Sequence, residues 1–113
     1  MSPTGVAASH NPPKIYLWCI DIKPDQRKEF RETFTDLSRF NKGLPPGCKF
    51  EAVYETVIGK RDEPSFQIWF RLPDLATFEA AATADAVRKF HKELEKYIDL
   101  SFRPTNMILE QIA

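Results

Sequence analysis

Ile15-Tyr16-Leu17-Trp18-Cys19-Ile20-Asp21-Ile22-Lys23-Pro24 is the stretch whose reading decides the fold. From Lys14 to Ile22 the chain is almost continuously apolar and rich in β-branched and aromatic residues. That pattern predicts a strand covered on both faces rather than on one. Lys23-Pro24 stops the strand and opens a helix, because proline is tolerated in a first helical turn.

Downstream, Asp25 to Asn41 has helical spacing, with Phe30, Thr33, Phe34, Leu37, Phe40 and Asn41 on one stripe. A loop over 42–47 follows, with Gly43 a candidate left-handed residue. Cys48 to Ile58 alternates, which puts Phe50, Ala52, Tyr54, Thr56 and Ile58 on one face and Lys49, Glu51, Val53, Glu55 and Val57 on the other. After a hairpin loop over 59–64, Ser65 to Leu72 alternates again: Phe66, Ile68, Phe70 and Leu72 oppose Gln67, Trp69 and Arg71. Pro73-Asp74 begins a helical stretch to about Ile98, with Asp74 as N-cap and a break expected at Thr83-Ala84-Asp85. Pro104 to Ile112 reads as the last strand. Upstream, Met1 to Pro13 carries three prolines and no periodicity, which predicts a flexible tail with a solvated His10.

The elements therefore run β-α-β-β-α-β. Right-handed crossovers place both helices on one face of a four-stranded antiparallel sheet, an α+β ferredoxin-like arrangement. At 113 residues, 42% of them apolar, the chain has the size of one domain, here residues 14–113 behind the tail. A domain this small buries only about two-thirds of its unfolded surface. The face without helices would carry Val53, Val57 and Trp69 among Glu51, Glu55, Gln67 and Arg71, a mixture suited to an isologous homodimer.

Composition narrows the function. Lys plus Arg equals Asp plus Glu, at 16 each, so no electrostatic footprint for nucleic acid or an anionic membrane is expected. No apolar run approaches the roughly 20 residues of a membrane span. The first residues lack the pattern of a signal peptide, so the expected location is the cytoplasm. Cys19 and Cys48 form no C-x-x-C pair and are expected to be reduced thiols. With two His in the chain and no ligand cluster at metal spacing, neither a metal nor a tightly bound cofactor is expected.

The Ile15–Pro24 stretch, followed by a helix with Phe30 and Phe34, resembles the strand-Lys-Pro-helix start of dimeric α+β barrel proteins. Phe66-Gln67-Ile68-Trp69-Phe70-Arg71-Leu72-Pro73-Asp74-Leu75-Ala76-Thr77-Phe78 resembles their third strand and the start of their second helix. The NIPSNAP-like and antibiotic-biosynthesis-monooxygenase-like members are the most similar. The resemblance implies a homodimer with a closed barrel. It does not fix an activity, since the superfamily holds cofactor-independent monooxygenases, cyclases, isomerases, haem enzymes and non-enzymatic members. The stress-responsive members carry a Tyr-x-x-His-Pro-x-His-like stretch in the second helix. Glu79 to Val87 here has neither His nor Pro, which argues against a cyclase of that kind.

Two readings stay open. In the first, the chain is an enzyme acting on an aromatic or polyketide-like molecule. His91, between Val87, Leu94 and Ile98 at helical offsets, would be an acid/base group. Tyr54 would be a second catalytic group. Trp18, Asn41, Phe34, Phe50, Phe66, Phe70 and Phe90 would line a pocket for a small hydrophobic or aromatic ligand. In the second, the aromatics fill the core, His91 is a core-edge residue bonded to a carbonyl, and the chain is a non-enzymatic binding or accessory homodimer.

Overall fold

The computed structural model describes residues 12–59 and 64–113. Most of the expected tail, with His10, and the middle of the hairpin loop lie outside the described residues. The strands are β1 (Lys14–Ile20), β2 (Lys49–Glu55), β3 (Phe66–Leu72) and β4 (Thr105–Glu110). The helices are α1 (Arg27–Phe34), α2 (Phe78–Thr83) and α3 (Asp85–Glu95). All four strands pair antiparallel in the order β2-β3-β1-β4, so each crossover joins strands of like direction across one neighbour.

The first helix is shorter than its periodicity suggests. The Asp36 carboxylate accepts from the Ser38 N–H at 3.0 Å and from its hydroxyl at 2.6 Å, a local turn that competes with the helix. A single 3-10 turn, Ser38–Phe40, then brings Phe40 back into the core at 7% exposure. The break in the second helical stretch falls where expected: Ala84 has an extended ψ of 140° between α2 and α3. The loop before β2 needs its glycine at Gly47. Its φ is +82°, and a Cβ there would lie 3.0 Å from the Pro73 ring.

Strand register sorts the side chains into two faces. Rows on the helix side run Val53–Ile68–Trp18–Asn106, Phe50–Phe70–Tyr16–Ile108, and Glu55–Phe66–Ile20. Phe50, Phe66, Phe90, Ile68 and Leu72 are at most 1% exposed, and Phe90 stacks on Phe50 at 4.1 Å between centroids. Burying each such side chain contributes about 1.5–3 kcal/mol.

A β-bulge between Phe50 and Ala52 corrects the simple alternation in β2. Glu51 and Ala52 together oppose Trp69, and every later residue changes face. Val53 therefore packs against the core rather than on the open face. Glu55 also turns to the helix side, where its carboxylate accepts both arms of the Arg31 guanidinium at 2.7 Å. Tyr54, expected to point inward, stands on the helix-free face at 53% exposure, edge-on to Trp69 at 5.1 Å.

The helix-free face is more apolar than β2 and β3 alone predict. Its central row is Ala52–Trp69–Leu17–Met107. Ile15 and Leu109 flank it on one side, and Cys19 and Tyr54 on the other. Met107 and Leu109 are 47% and 38% exposed. Arg71 lies on this face, as expected, 4.0 Å from Glu51. At the edge, the buried Lys14 ammonium bonds Glu110 at 2.6 Å and the Pro12 carbonyl at 2.9 Å, joining the start of β1 to the end of β4.

Candidate functional site

The gap opened by the Ala84 break is the site. Asp74 caps the chain ahead of α2: its carboxylate accepts from the Thr77 N–H at 2.8 Å and from the Thr77 hydroxyl at 2.7 Å. From that anchor α2 turns Phe78 and Ala81 toward the sheet and α3 turns Val87, while the exposed Ala82 and His91 edge the opening. The floor is Tyr16, Trp18 and Phe70. Together these side chains enclose a cavity of about 70 Å³. It exists because α2 contributes two alanines where larger residues would close it.

His91 sits at the rim rather than in the buried sector predicted from helical spacing. Part of its ring is in solvent, and its inner edge packs on Trp18 at 4.8 Å with an interplanar angle of 68°. Burial against this wall pulls the imidazole below its ordinary value, with Glu95 one turn away partly opposing the shift. The neutral ring, able to accept a proton, is therefore the form present at neutral pH. Among the described residues His91 has no protein hydrogen-bond partner, so the backbone-carbonyl partner of the core-edge reading is absent there.

Of the residues expected to form the site, Trp18, Phe70 and His91 meet at the cavity. Phe34, Phe50, Phe66 and Phe90 do not line it. They are 3%, 1%, 1% and 0% exposed and fill the core. Asn41 is also elsewhere: its Oδ1 accepts from the Phe50 N–H at 2.7 Å and its Nδ2 donates to the Phe50 carbonyl at 3.4 Å. Its amide is committed to the backbone of β2. Tyr54 is on the far side of the sheet. Sequence reading does not single out Phe78, which lies flat on Tyr16 at 5.2 Å and 7°. The signal for it was the alanine run beginning two residues on, which leaves one large side chain to close that wall.

Other concavities are more open. A groove of about 360 Å³ between α1 and β2 is lined by Phe30, Phe34, Val53 and the Arg31–Glu55 pair. Another, of about 830 Å³, lies between Arg39–Gly43 and the lysines of α3. Among the described residues no three His, Cys, Asp or Glu side chains gather as a metal site would need, and no helix is long and apolar enough to cross a membrane.

No protein-family model matches the chain, and no curated protein matches it in sequence. Solved structures do match. A dimeric ferredoxin-like protein of unknown function from Thermobifida fusca superposes with a TM-score of 0.69 at 11% identity, over 90% of this chain and 93% of that one. A Caulobacter crescentus protein assigned provisionally as an antibiotic biosynthesis monooxygenase gives 0.67 at 13%, over 97% and 99%. A conserved protein from Methanosarcina mazei gives 0.65 at 14%, over 93% and 98%. At this level of identity the likeness establishes architecture, and by architecture this chain is a ferredoxin-like α+β protein.

Proposed function

We propose that this chain is an enzyme acting on a small aromatic or enolic molecule without a tightly bound cofactor, and that it works as a homodimer. The observation that carries the reading is the aromatic-walled cavity with a neutral imidazole at its rim. A phenol or enol can supply its own electrons to dioxygen or rearrange through its own carbanion. The protein then has only to bind the ring, orient it and accept a proton, the part assigned to His91. The monooxygenase assignment of structurally similar proteins accords with this chemistry, and the Thermobifida protein's dimeric state accords with a second copy covering the Trp69 face.

A non-enzymatic binding role is favoured by one feature: among the described residues no carboxylate or carbonyl orients His91, as a working general base usually requires. The two readings separate in one experiment. Hydroxynaphthalenes and cyclic β-diketones are screened for binding by chemical shifts at Val87 and Ala81, and for turnover by oxygen uptake and mass spectrometry. The enzyme reading expects turnover that drops at least ~100-fold in His91→Ala with the fold intact. Binding without turnover selects the binding role. Binding that leaves Val87 and Ala81 unperturbed overturns both.

A further inference from the structure

The cavity beside His91 is too small for the ligand its walls suggest. About 70 Å³ is roughly half of the ~150 Å³ that holds a benzene ring in a protein interior. Space must therefore come from a wall that can yield. Trp18 is wedged between Phe50, Phe90 and His91, and Phe70 and Val87 are each 4% exposed in the core. Phe78 is the exception. Tyr16, Trp18 and Phe78 are all partly buried, but among the described residues the only ring Phe78 meets is that of Tyr16, and it begins a six-residue helix bounded by a 3-10 turn on one side and the Ala84 break on the other. Its neighbours along the wall are alanines.

Its position is itself a template. The Phe78 ring lies parallel to Tyr16, the arrangement a bound aromatic ring would adopt there. Turning it outward leaves a slot one ring thick on the face of Tyr16, continuous with the cavity that reaches His91. Resting on the reading of this cavity as the ligand site, we infer that Phe78 occupies the ligand's place in the free protein and sets the substrate class. The site takes a planar molecule of one ring or two fused rings, which displaces Phe78 from Tyr16 and projects its polar substituent toward His91. A three-ring system exceeds the slot, because Trp18, packed against Phe50, Phe90 and His91, and the buried Phe70 stand behind it.

Nuclear magnetic resonance on the full chain tests this with three probes: phenol, 1-naphthol and 9-phenanthrol. In the wild type the Tyr16–Phe78 ring-to-ring nuclear Overhauser effect is expected to vanish as phenol or 1-naphthol shifts the Val87 and Ala81 methyls. Phe78→Ala no longer has to vacate the slot, so it is expected to bind 1-naphthol about tenfold more tightly. Ala82→Leu, which narrows the mouth of the same space from the exposed side of α2, is expected to weaken it by a similar factor. The inference is overturned if the probes shift Val87 and Ala81 with the Tyr16–Phe78 contact intact. It is equally overturned if 9-phenanthrol binds the wild type as tightly as 1-naphthol. If no probe shifts those methyls in either the wild type or Phe78→Ala, the cavity is not a ligand site, and the functional reading falls together with this one.

Discussion

His91 carries the proposed chemistry, and its titration makes it testable by itself. Burial against Trp18 holds the folded-state value below that of the unfolded chain, about 6.5 for a free imidazole. As pH falls below that value the unfolded chain takes up the proton first, so the folded state loses stability with acid and keeps it above neutrality. His91→Gln should remove this contribution. Thermal melts of wild type and variant should run in parallel above pH 7, and the wild type should drop faster below about 6.5. Identical pH profiles would mean that the ring is fully solvated. Asn41 gives a second residue-scale prediction. Its Oδ1 is the partner of the Phe50 N–H, so Asn41→Ala should cost about 1–3 kcal/mol in urea unfolding by leaving that donor unpaired. Asn41 was legible as an inward-leaning polar group on a helical stripe, whereas the same spacing placed His91 in a buried sector and the structure puts it at the rim. The partner of Asn41 was not legible, because an amide meeting a strand nine positions on is a tertiary event that leaves no mark on local spacing.

The informative element is β2. Alternation reads the strand correctly up to Glu51 and then assigns Ala52 to Glu55 to the wrong face, because one extra residue opposite Trp69 inverts the pattern. Nothing in Lys49-Phe50-Glu51-Ala52-Val53-Tyr54-Glu55 announces the bulge: both registers place a plausible mixture on each side. Two substitutions decide between them. Val53→Asp puts a carboxylate against Ile68 and should cost about 2 kcal/mol or more. Tyr54→Asp should leave urea unfolding of the monomer nearly unchanged. The reverse ranking would restore simple alternation. The helix break, by contrast, was legible, since Thr83-Ala84-Asp85 is a local start signal. The early end of α1 was not, because Asp36 and Ser38 close their turn without proline or glycine.

For the whole molecule, element order was enough to predict the sheet, and the apolar β1 run was enough to predict apolar side chains on both of its faces. Leu17 and Cys19 lie on the helix-free side beside Trp69. Trp69 donates its indole N–H to Gln67 Oε1 at 3.1 Å, so its polar atom is satisfied before any partner arrives. A second copy packed on this face would bury an apolar centre inside a charged rim. Trp69→Glu should weaken association by about 2 kcal/mol or more, roughly 30-fold. Sedimentation at micromolar concentration reads the change, and an unchanged dimer would place the interface elsewhere. Whether the aromatic side chains line a cavity or fill the core was the question composition could not answer, because identical phenylalanines do both and the difference lies in how α2 and α3 diverge.

The Lys14–Glu110 pair has a mechanical consequence. It joins the two ends of the described chain at one corner, where β1 and β4 run antiparallel side by side. A force applied between those ends meets the ladder rungs one after another, beginning with that ion pair, instead of loading them all together. An isolated protomer stretched by its termini should therefore open at low force by peeling β4 away, while handles on β2 and β4 would have to strain the whole width of the sheet.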